Sequence, residues 1–280
     1  MRLTSLRGSS LQFVTKDLAG TIDPSSVYEV VSGWTGESFR NVENRRTIRV
    51  MLEGRGYFAK IHEGVGWGEI FKNLISLRLP VISAMNELNA IAHLEEAGVA
   101  TMHAVAGARH GWNPAHVKSC VVTRELTDTV SLEELAEAGG TSVHNKRRLI
   151  ASVAGMARKM HRSGMNHRDF YICHFLVKRA DLEAGVDDPR VYLIDLHRAQ
   201  LRSSVPRRWL VKDLAGLLFS SLDTGMTRRD YLRFLRLYSG QSLREVLKDE
   251  AGFWADVIKR ALRLYHAEHG RAPRFVPVAA

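Results

Sequence analysis

The sequence predicts a two-lobed α+β protein, with a small antiparallel-sheet lobe over residues 1–125 and a mainly helical lobe over residues 126–280. Three observations lead there. Short alternating segments crowd the first half, amphipathic runs of helical period fill the second, and Arg124-Glu125-Leu126 lies between them as a hinge.

The first thirty residues give no clear signal. From Thr47 onward Ile48, Val50 and Leu52 alternate with Arg49, Met51 and Glu53, as in a half-buried strand. Gly54-Arg55-Gly56 reads as a turn, and Tyr57 to His62 returns as a strand with Phe58, Lys60 and His62 on one face. A short helix is expected from Trp67 to Leu77, ended or kinked at Pro80. A second helix, Ser83 to Glu96, lines up Ala84, Leu88, Ile91 and Leu94. Glu87 falls beside that stripe, and a carboxylate turned toward a core needs a cation. Strands are expected near Met102 to Ala106 and Ser119 to Thr123.

Past the hinge, Ser131 with Glu134 makes a capping box. A long helix from about Lys146 to His161 carries Leu149, Val153, Met156 and Met160 on one side and stops at Gly164. Short strands near Phe175 to Val177 and Val191 to Ile194 precede further helices. Pro206 stands ahead of one of them, and Thr227 with Asp230 and Ser242 with Glu245 open two others.

Hydrophobic residues make up 45% of the chain and charged residues 25%, an ordinary globular balance that excludes a disordered reading. A net charge of +10 favours an anionic partner without saying which. The start leads into no apolar run suited to a signal peptide. The most apolar stretch, Trp209 to Leu222, contains Lys212 and Asp213 and is too short to span a bilayer, so a cytoplasmic protein is expected. Cys120 and Cys173 suit a reducing compartment.

The sharpest chemical signal is Asn166-His167-Arg168-Asp169-Phe170-Tyr171-Ile172-Cys173-His174. His-Arg-Asp just past a long helix and before a short strand is how a kinase catalytic loop reads. Its aspartate, Asp169, takes the proton from the attacking hydroxyl or orients it. Five positions on, where such loops hold a metal, stands His174. Asp195 ends the strand Val191-Tyr192-Leu193-Ile194, where the second metal-binding aspartate belongs. Upstream, Lys60 is the lysine that neutralises nucleotide phosphates and Glu87 the carboxylate that holds it. Phosphoryl transfer is mostly positioning and charge neutralisation, and these parts supply both. The cofactors expected are ATP and Mg2+.

His161, His167, Cys173 and His174 raise a zinc reading, but their spacing matches no common structural zinc pattern. His167 is expected to order the loop and Cys173 to be a small buried hydrophobe. No Gly-x-Gly-x-x-Gly precedes the lysine strand; Gly33 and Gly36 are a poor substitute, and Arg40, Arg45 and Arg46 are candidates to cover the phosphates instead. Asp195 is followed by Leu196-His197-Arg198 rather than Phe-Gly, and seventeen residues lie between Asp195 and Asp213. So short a segment leaves little room for a regulated activation loop and a peptide-docking shelf, which favours a non-protein acceptor.

Across about Asn44 to Asp249 the sequence resembles the lipopolysaccharide core heptose(I) kinases, within a protein-kinase-like group that includes Kdo kinases. Arg45-Arg46-Thr47, Gly56 to Lys60, Lys72-Asn73-Leu74 and Gly98 to Thr101 contribute. Asn166 to Phe175, Ile194 to Gln200, Val205 to Trp209 and Lys212-Asp213-Leu214 are the most specific stretches. The resemblance implies an α+β, bilobal protein-kinase-like fold and transfer of the ATP γ-phosphate to the 4-hydroxyl of the first heptose of the inner core. Asp169 matches the catalytic aspartate, Lys60 the phosphate lysine with Glu87 its partner, and Asp195 the metal aspartate. Asp213 matches the helix aspartate that ties down the loop of His167 and Arg168. It also implies acyl carrier protein as an acidic partner. The basic surface fits a peripheral place at the anionic cytoplasmic face of the inner membrane, with Arg198, Arg207 and Arg208 as candidate contacts to substrate anions. Rival readings are a Kdo kinase or a kinase of another core heptose, a protein kinase, and a pseudokinase or nucleic-acid-binding module. No nucleic-acid motif supports the last.

Overall fold

Alternating apolar residues build the sheet. The computed structural model describes residues 10–42, 44–64, 66–68, 83–113 and 115–276. In it β1 (Ser10–Val14), β2 (Glu37–Val42), β3 (Arg45–Leu52), β4 (Arg55–His62), β5 (Ala104–His110) and β6 (Lys118–Arg124) form one antiparallel sheet in the order β1-β5-β6-β4-β3-β2. The hairpin of β3 and β4 has the expected register, with Lys60 opposite Thr47 on one side and Val121 on the other. The strand expected from Met102 lies further on, at β5. The helix expected from Trp67 to Leu77 lies outside the described residues beyond Gly68.

One face of the sheet buries Ile48, Val50, Tyr57, Ala59, Ile61, Ala106, Ala108 and Val122 against Leu18, Ile22 and the short helix α1 (Val27–Ser32), which contributes Val27, Tyr28 and Val31. Each large apolar side chain so buried stabilises by roughly 1.5–3 kcal/mol. The other face carries Lys60 and receives α2 (Met85–Glu96). A Cβ at Gly107 would stand 3.5 Å from Leu88 Cδ2 and 2.7 Å from Phe13, so the helix passes where the sheet is bare. The Ser119 hydroxyl accepts a hydrogen bond from the Ala84 N–H at 3.0 Å and fixes the start of the helix. Gly36 serves the backbone, since a Cβ there would lie 2.1 Å from the Arg49 carbonyl. Arg46 is likewise structural. Its guanidinium donates to the carbonyls of Ser32 and, at 3.2 Å, of Trp34, just past α1, which replaces the phosphate-covering role expected for it.

His62 is buried at the end of β4, and its ring pKa falls to about 3, first through burial and then through the positive charges of Arg45, Lys60 and His197. A folded-state pKa below the unfolded value means the unfolded chain binds the extra proton, so stability is lost as pH falls below about 6.5. At about pH 5 this site alone costs about 2 kcal/mol relative to neutral pH. Denaturant unfolding at the two pH values should show that loss, and His62→Gln should reduce it.

The helical part contains α3 (Leu132–Glu137), α4 (Val143–Arg162), α5 (Arg179–Glu183), α6 (Arg207–Ser221), α7 (Arg228–Ser239), α8 (Leu243–Asp249) and α9 (Ala251–His269). The capping boxes at Ser131, Thr227 and Ser242 all form. Ser142 caps α4, whose first residue lies three positions before the start that periodicity indicates. Leu214, Ala215 and Leu218 of α6 pack with Trp254, Val257, Ala261 and Tyr265 of α9. Strands β7 (Thr129–Ser131), β9 (Phe175–Lys178) and β10 (Val191–Leu193) form a small sheet, and β8 (Met165–Asn166) pairs with β11 (Gln200–Leu201).

The chain divides into two compact units. Within the described residues, the sheet unit runs to His93 and includes Met102–Thr127 and Leu196–Arg198. The helical unit takes Leu94–Thr101, Asp128–Asp195 and everything from Ala199 on. Hydrogen bonds explain the short exchanged pieces: Thr101 Oγ1 donates to the Leu193 carbonyl at 2.6 Å, and Asn86 Nδ2 to the His197 carbonyl at 2.7 Å. No helix of the described residues is long and apolar enough to cross a membrane.

Candidate active site

In the sheet unit, the strand alternation that buries Tyr57, Ala59 and Ile61 turns Lys60 to the face that carries α2. Its Nζ lies 2.7 Å from Glu87 Oε1, and Glu87 is 2% exposed. A carboxylate so buried is tolerated because it is paired. The pair fixes the ammonium on a strand and leaves the lysine side chain partly accessible.

In the helical unit, α4 ends at Arg162 with Ser163 as its C-cap, and Gly164 turns the chain at φ +90°, where a Cβ would strike the Arg202 carbonyl. The loop that follows is held from below by Asp213 of α6. One carboxylate oxygen accepts from the His167 N–H at 2.6 Å and the other from the Arg168 N–H at 2.8 Å. His161 Nε2 lies 3.3 Å from the same carboxylate, and Tyr238 Oη lies 2.9 Å from His161 Nδ1. This support lets Arg168 sit at φ +77°, in a left-handed conformation unfavourable for a residue with a Cβ.

His167 is fully buried between two backbone groups. Its Nε2 is 3.0 Å from the Ile194 carbonyl, and its Nδ1 accepts from the Asp169 N–H at 3.3 Å. A carbonyl accepts only from N–H, so the ring is neutral with its proton on Nε2. Burial, the dominant influence, holds its pKa below the usual histidine range. Asp169, half-buried, is thus fixed by its own backbone: its N–H by His167 and its carbonyl by His174 Nδ1 at 2.7 Å.

The same tautomer logic applies to His174. With Nδ1 donating to the Asp169 carbonyl, the ring turns its Nε2 toward Asp195 Oδ2, 3.6 Å away. An imidazole nitrogen and a carboxylate oxygen so placed are both metal-ligating atoms, and the pair fits a divalent metal ion. Asp195 is itself at φ +62°, a second non-glycine residue held in the left-handed region beside this loop.

The structure brings Asp169, His174, Asp195, His167, Arg168 and Asp213 together in one unit, and Lys60 with Glu87 in the other. The zinc reading fails: His161 serves Asp213, His167 serves the backbone, and no group of three metal-binding side chains occurs among the described residues. Burial raises the Cys173 thiol to about 11, so it stays protonated. Arg207, offered as an anion contact, is instead paired with Asp256 and donates to the Gly252 carbonyl at 3.1 Å. Sequence reasoning missed the supporting roles of His161, Tyr238 and Ser220, whose hydroxyl accepts from the Ile172 N–H at 3.0 Å. Only His161 carried a signal, as the buried-face histidine of α4, and the zinc reading absorbed it.

The model of the lipopolysaccharide kinase (Kdo/WaaP) family matches residues 31–238. The lipopolysaccharide core heptose(I) kinase WaaP of Pseudomonas aeruginosa is 51% identical over 241 residues, covering 85% of this chain and 90% of that protein. The protein of the same name from Escherichia coli is 45% identical over 240 residues, with the same two coverages. A solved structure of WaaP in complex with acyl carrier protein superposes with a TM-score of 0.76 at 44% identity, covering 91% of this chain and 99% of that one. The fold is therefore of the protein-kinase-like kind, and the chain belongs to the lipopolysaccharide kinase (Kdo/WaaP) family.

Proposed function

We propose that this protein transfers the γ-phosphate of ATP to a hydroxyl of the first heptose of the lipopolysaccharide inner core, at the 4-position. The observation that carries the reading is the Asp169–His174 loop pinned by Asp213, with Asp195 facing His174, in a chain about half identical to a heptose(I) kinase. Membership of a kinase family makes the chain an ATP-using phosphotransferase with an alcohol acceptor.

Each residue then has a task. Lys60, steadied by Glu87, binds nucleotide phosphate oxygens. Asp195 and His174 are the side chains that would hold Mg2+, which when bound neutralises charge on the phosphates. Asp169 accepts the proton of the heptose hydroxyl as the oxygen attacks. His167, Arg168 and Asp213 hold the loop so that the Asp169 carboxylate meets the acceptor without reorganisation.

The acceptor places the enzyme at the cytoplasmic face of the inner membrane, where a net charge of +10 is drawn to anionic lipid. The same charge suits acyl carrier protein, an acidic partner, and a 44%-identical relative is found in complex with acyl carrier protein. Asp195→Ala should reduce metal-dependent ATP affinity by at least about tenfold in calorimetry; an unchanged affinity removes Asp195 from the metal site. Expression in a Gram-negative strain lacking its own heptose(I) kinase tests the function as a whole. Restored core phosphate in the isolated lipopolysaccharide supports the reading, and an unphosphorylated core contradicts it.

A further inference from the structure

A cavity of about 460 Å³ opens in the helical unit against the side chains that support the catalytic loop. Its wall includes His161 and Tyr238, whose hydroxyl lies 2.9 Å from His161 Nδ1, while His161 Nε2 faces the Asp213 carboxylate at 3.3 Å. Asp213 in turn accepts from the His167 and Arg168 N–H groups. The cavity thus meets the outer end of a hydrogen-bonded chain whose inner end is the loop of Asp169. Burial keeps the Tyr238 hydroxyl protonated, so this link persists at working pH.

Two cations line the same cavity, Arg158 and Arg162, one turn apart on α4. Neither makes a hydrogen bond or an ion pair within the described residues, and the Arg158 Nε–H is buried without an acceptor. The Arg158 guanidinium lies over Gly240, the left-handed C-cap of α7, where a Cβ would overlap it. The C-terminal ends of α4 and α7 favour positive charge. That accounts for cations at this place but leaves their N–H groups unused. Glu250, the carboxylate of the wall, is engaged elsewhere: its Oε2 accepts from the Ser239 hydroxyl at 2.6 Å and from the Trp254 indole N–H at 3.0 Å. Val205, Leu210 and Phe253 supply an apolar side.

We propose that this cavity is an effector site for a small organic oxyanion, a carboxylate or phosphate on a compact apolar body, and that its occupation steadies the catalytic loop through Tyr238, His161 and Asp213. Guanidinium groups match either head in a planar, two-point geometry. Two guanidiniums against one carboxylate leave a surplus of one positive charge, which suits a singly headed anion rather than a polyphosphate. The volume falls in the range of small-molecule pockets, about 300–1,000 Å³. An anion held by Arg158 and Arg162 packs its body on Tyr238 and Phe253 and restrains the ring that orients His161. The consequence for phosphate transfer rests on the kinase reading above; binding and loop order do not.

Arg162 is exposed, so Arg162→Gln spares the fold, and Arg158→Lys keeps the charge while removing the fork. Calorimetric titration of the full chain, without nucleotide or acceptor and at fixed ionic strength, uses benzoate and phenyl phosphate as probes. Saturable binding of either supports the site, and the tighter probe names the head. Both variants should weaken it by about 10-fold or more, the loss of one charged hydrogen-bonded contact. Lys60→Gln, at the nucleotide site, should bind the probe as the native protein does. Amide hydrogen exchange reads the coupling. With the probe at about ten times its Kd, the His167 and Arg168 N–H groups should exchange up to about tenfold more slowly. Tyr238→Phe should keep the binding and lose that slowing. No saturable binding, or binding that Lys60→Gln abolishes and Arg162→Gln leaves intact, overturns the site. Binding that leaves the loop amides unchanged overturns its role as an effector site. Neither measurement uses turnover, so a failed kinase assay and a failed effector site are told apart.

Discussion

Asp169→Asn should lower phosphoryl transfer by about 10²- to 10⁴-fold while leaving ATP affinity near that of the native protein. The loss is chemical because the change is nearly isosteric and the backbone of residue 169 is held by others. His167 Nδ1 accepts its N–H, and His174 Nδ1 holds its carbonyl at 2.7 Å. An amide in that place cannot accept the hydroxyl proton. Single-turnover transfer assays with calorimetric titration of ATP separate the two effects. Transfer within about threefold of native would remove Asp169 from the role of base.

Asp213→Ala should destabilise the protein by about 3–5 kcal/mol and abolish activity with it. Asp213 is 1% exposed, and its carboxylate accepts from two buried backbone N–H groups and faces His161. Removing it orphans those donors, each at a cost of about 1–3 kcal/mol. It also releases the restraint that holds Arg168 at φ +77°. Denaturant unfolding should show a lower midpoint with an unchanged slope. A loss below about 1 kcal/mol would mean that the loop is held by something else. The two variants differ in kind: one removes a reacting group from a sound loop, and the other removes the loop's support.

Much of this was legible in the sequence because strand and helix periodicities expose which side chains share a face. Lys60 and Glu87 could be paired before any coordinates, since each fell on a recognisable element with a single-sided apolar pattern. The capping boxes at Ser131, Thr227 and Ser242 mark helix starts by local chemistry and were equally readable. The first thirty residues were not. The five-residue β1 finds its identity only in pairing with β5, and the six-residue α1 is too short for periodicity to declare itself. What the sequence could not show at all were contacts between distant segments: the Tyr238–His161–Asp213 chain, Arg46 closing the end of α1, and the cations gathered on Trp209. Arg207 and Arg208 are neighbours of identical type. Only tertiary structure commits one to Asp256 and the other to the indole.

The most direct test of the central claim is phosphate transfer from Mg-ATP to two purified acceptors, one core lipopolysaccharide carrying unphosphorylated heptose and one ending at Kdo, with Asp169→Asn as the blank. The account predicts transfer to the heptose acceptor alone, dependent on Asp169. Transfer to the Kdo-terminated acceptor, or equal transfer by Asp169→Asn, would contradict it.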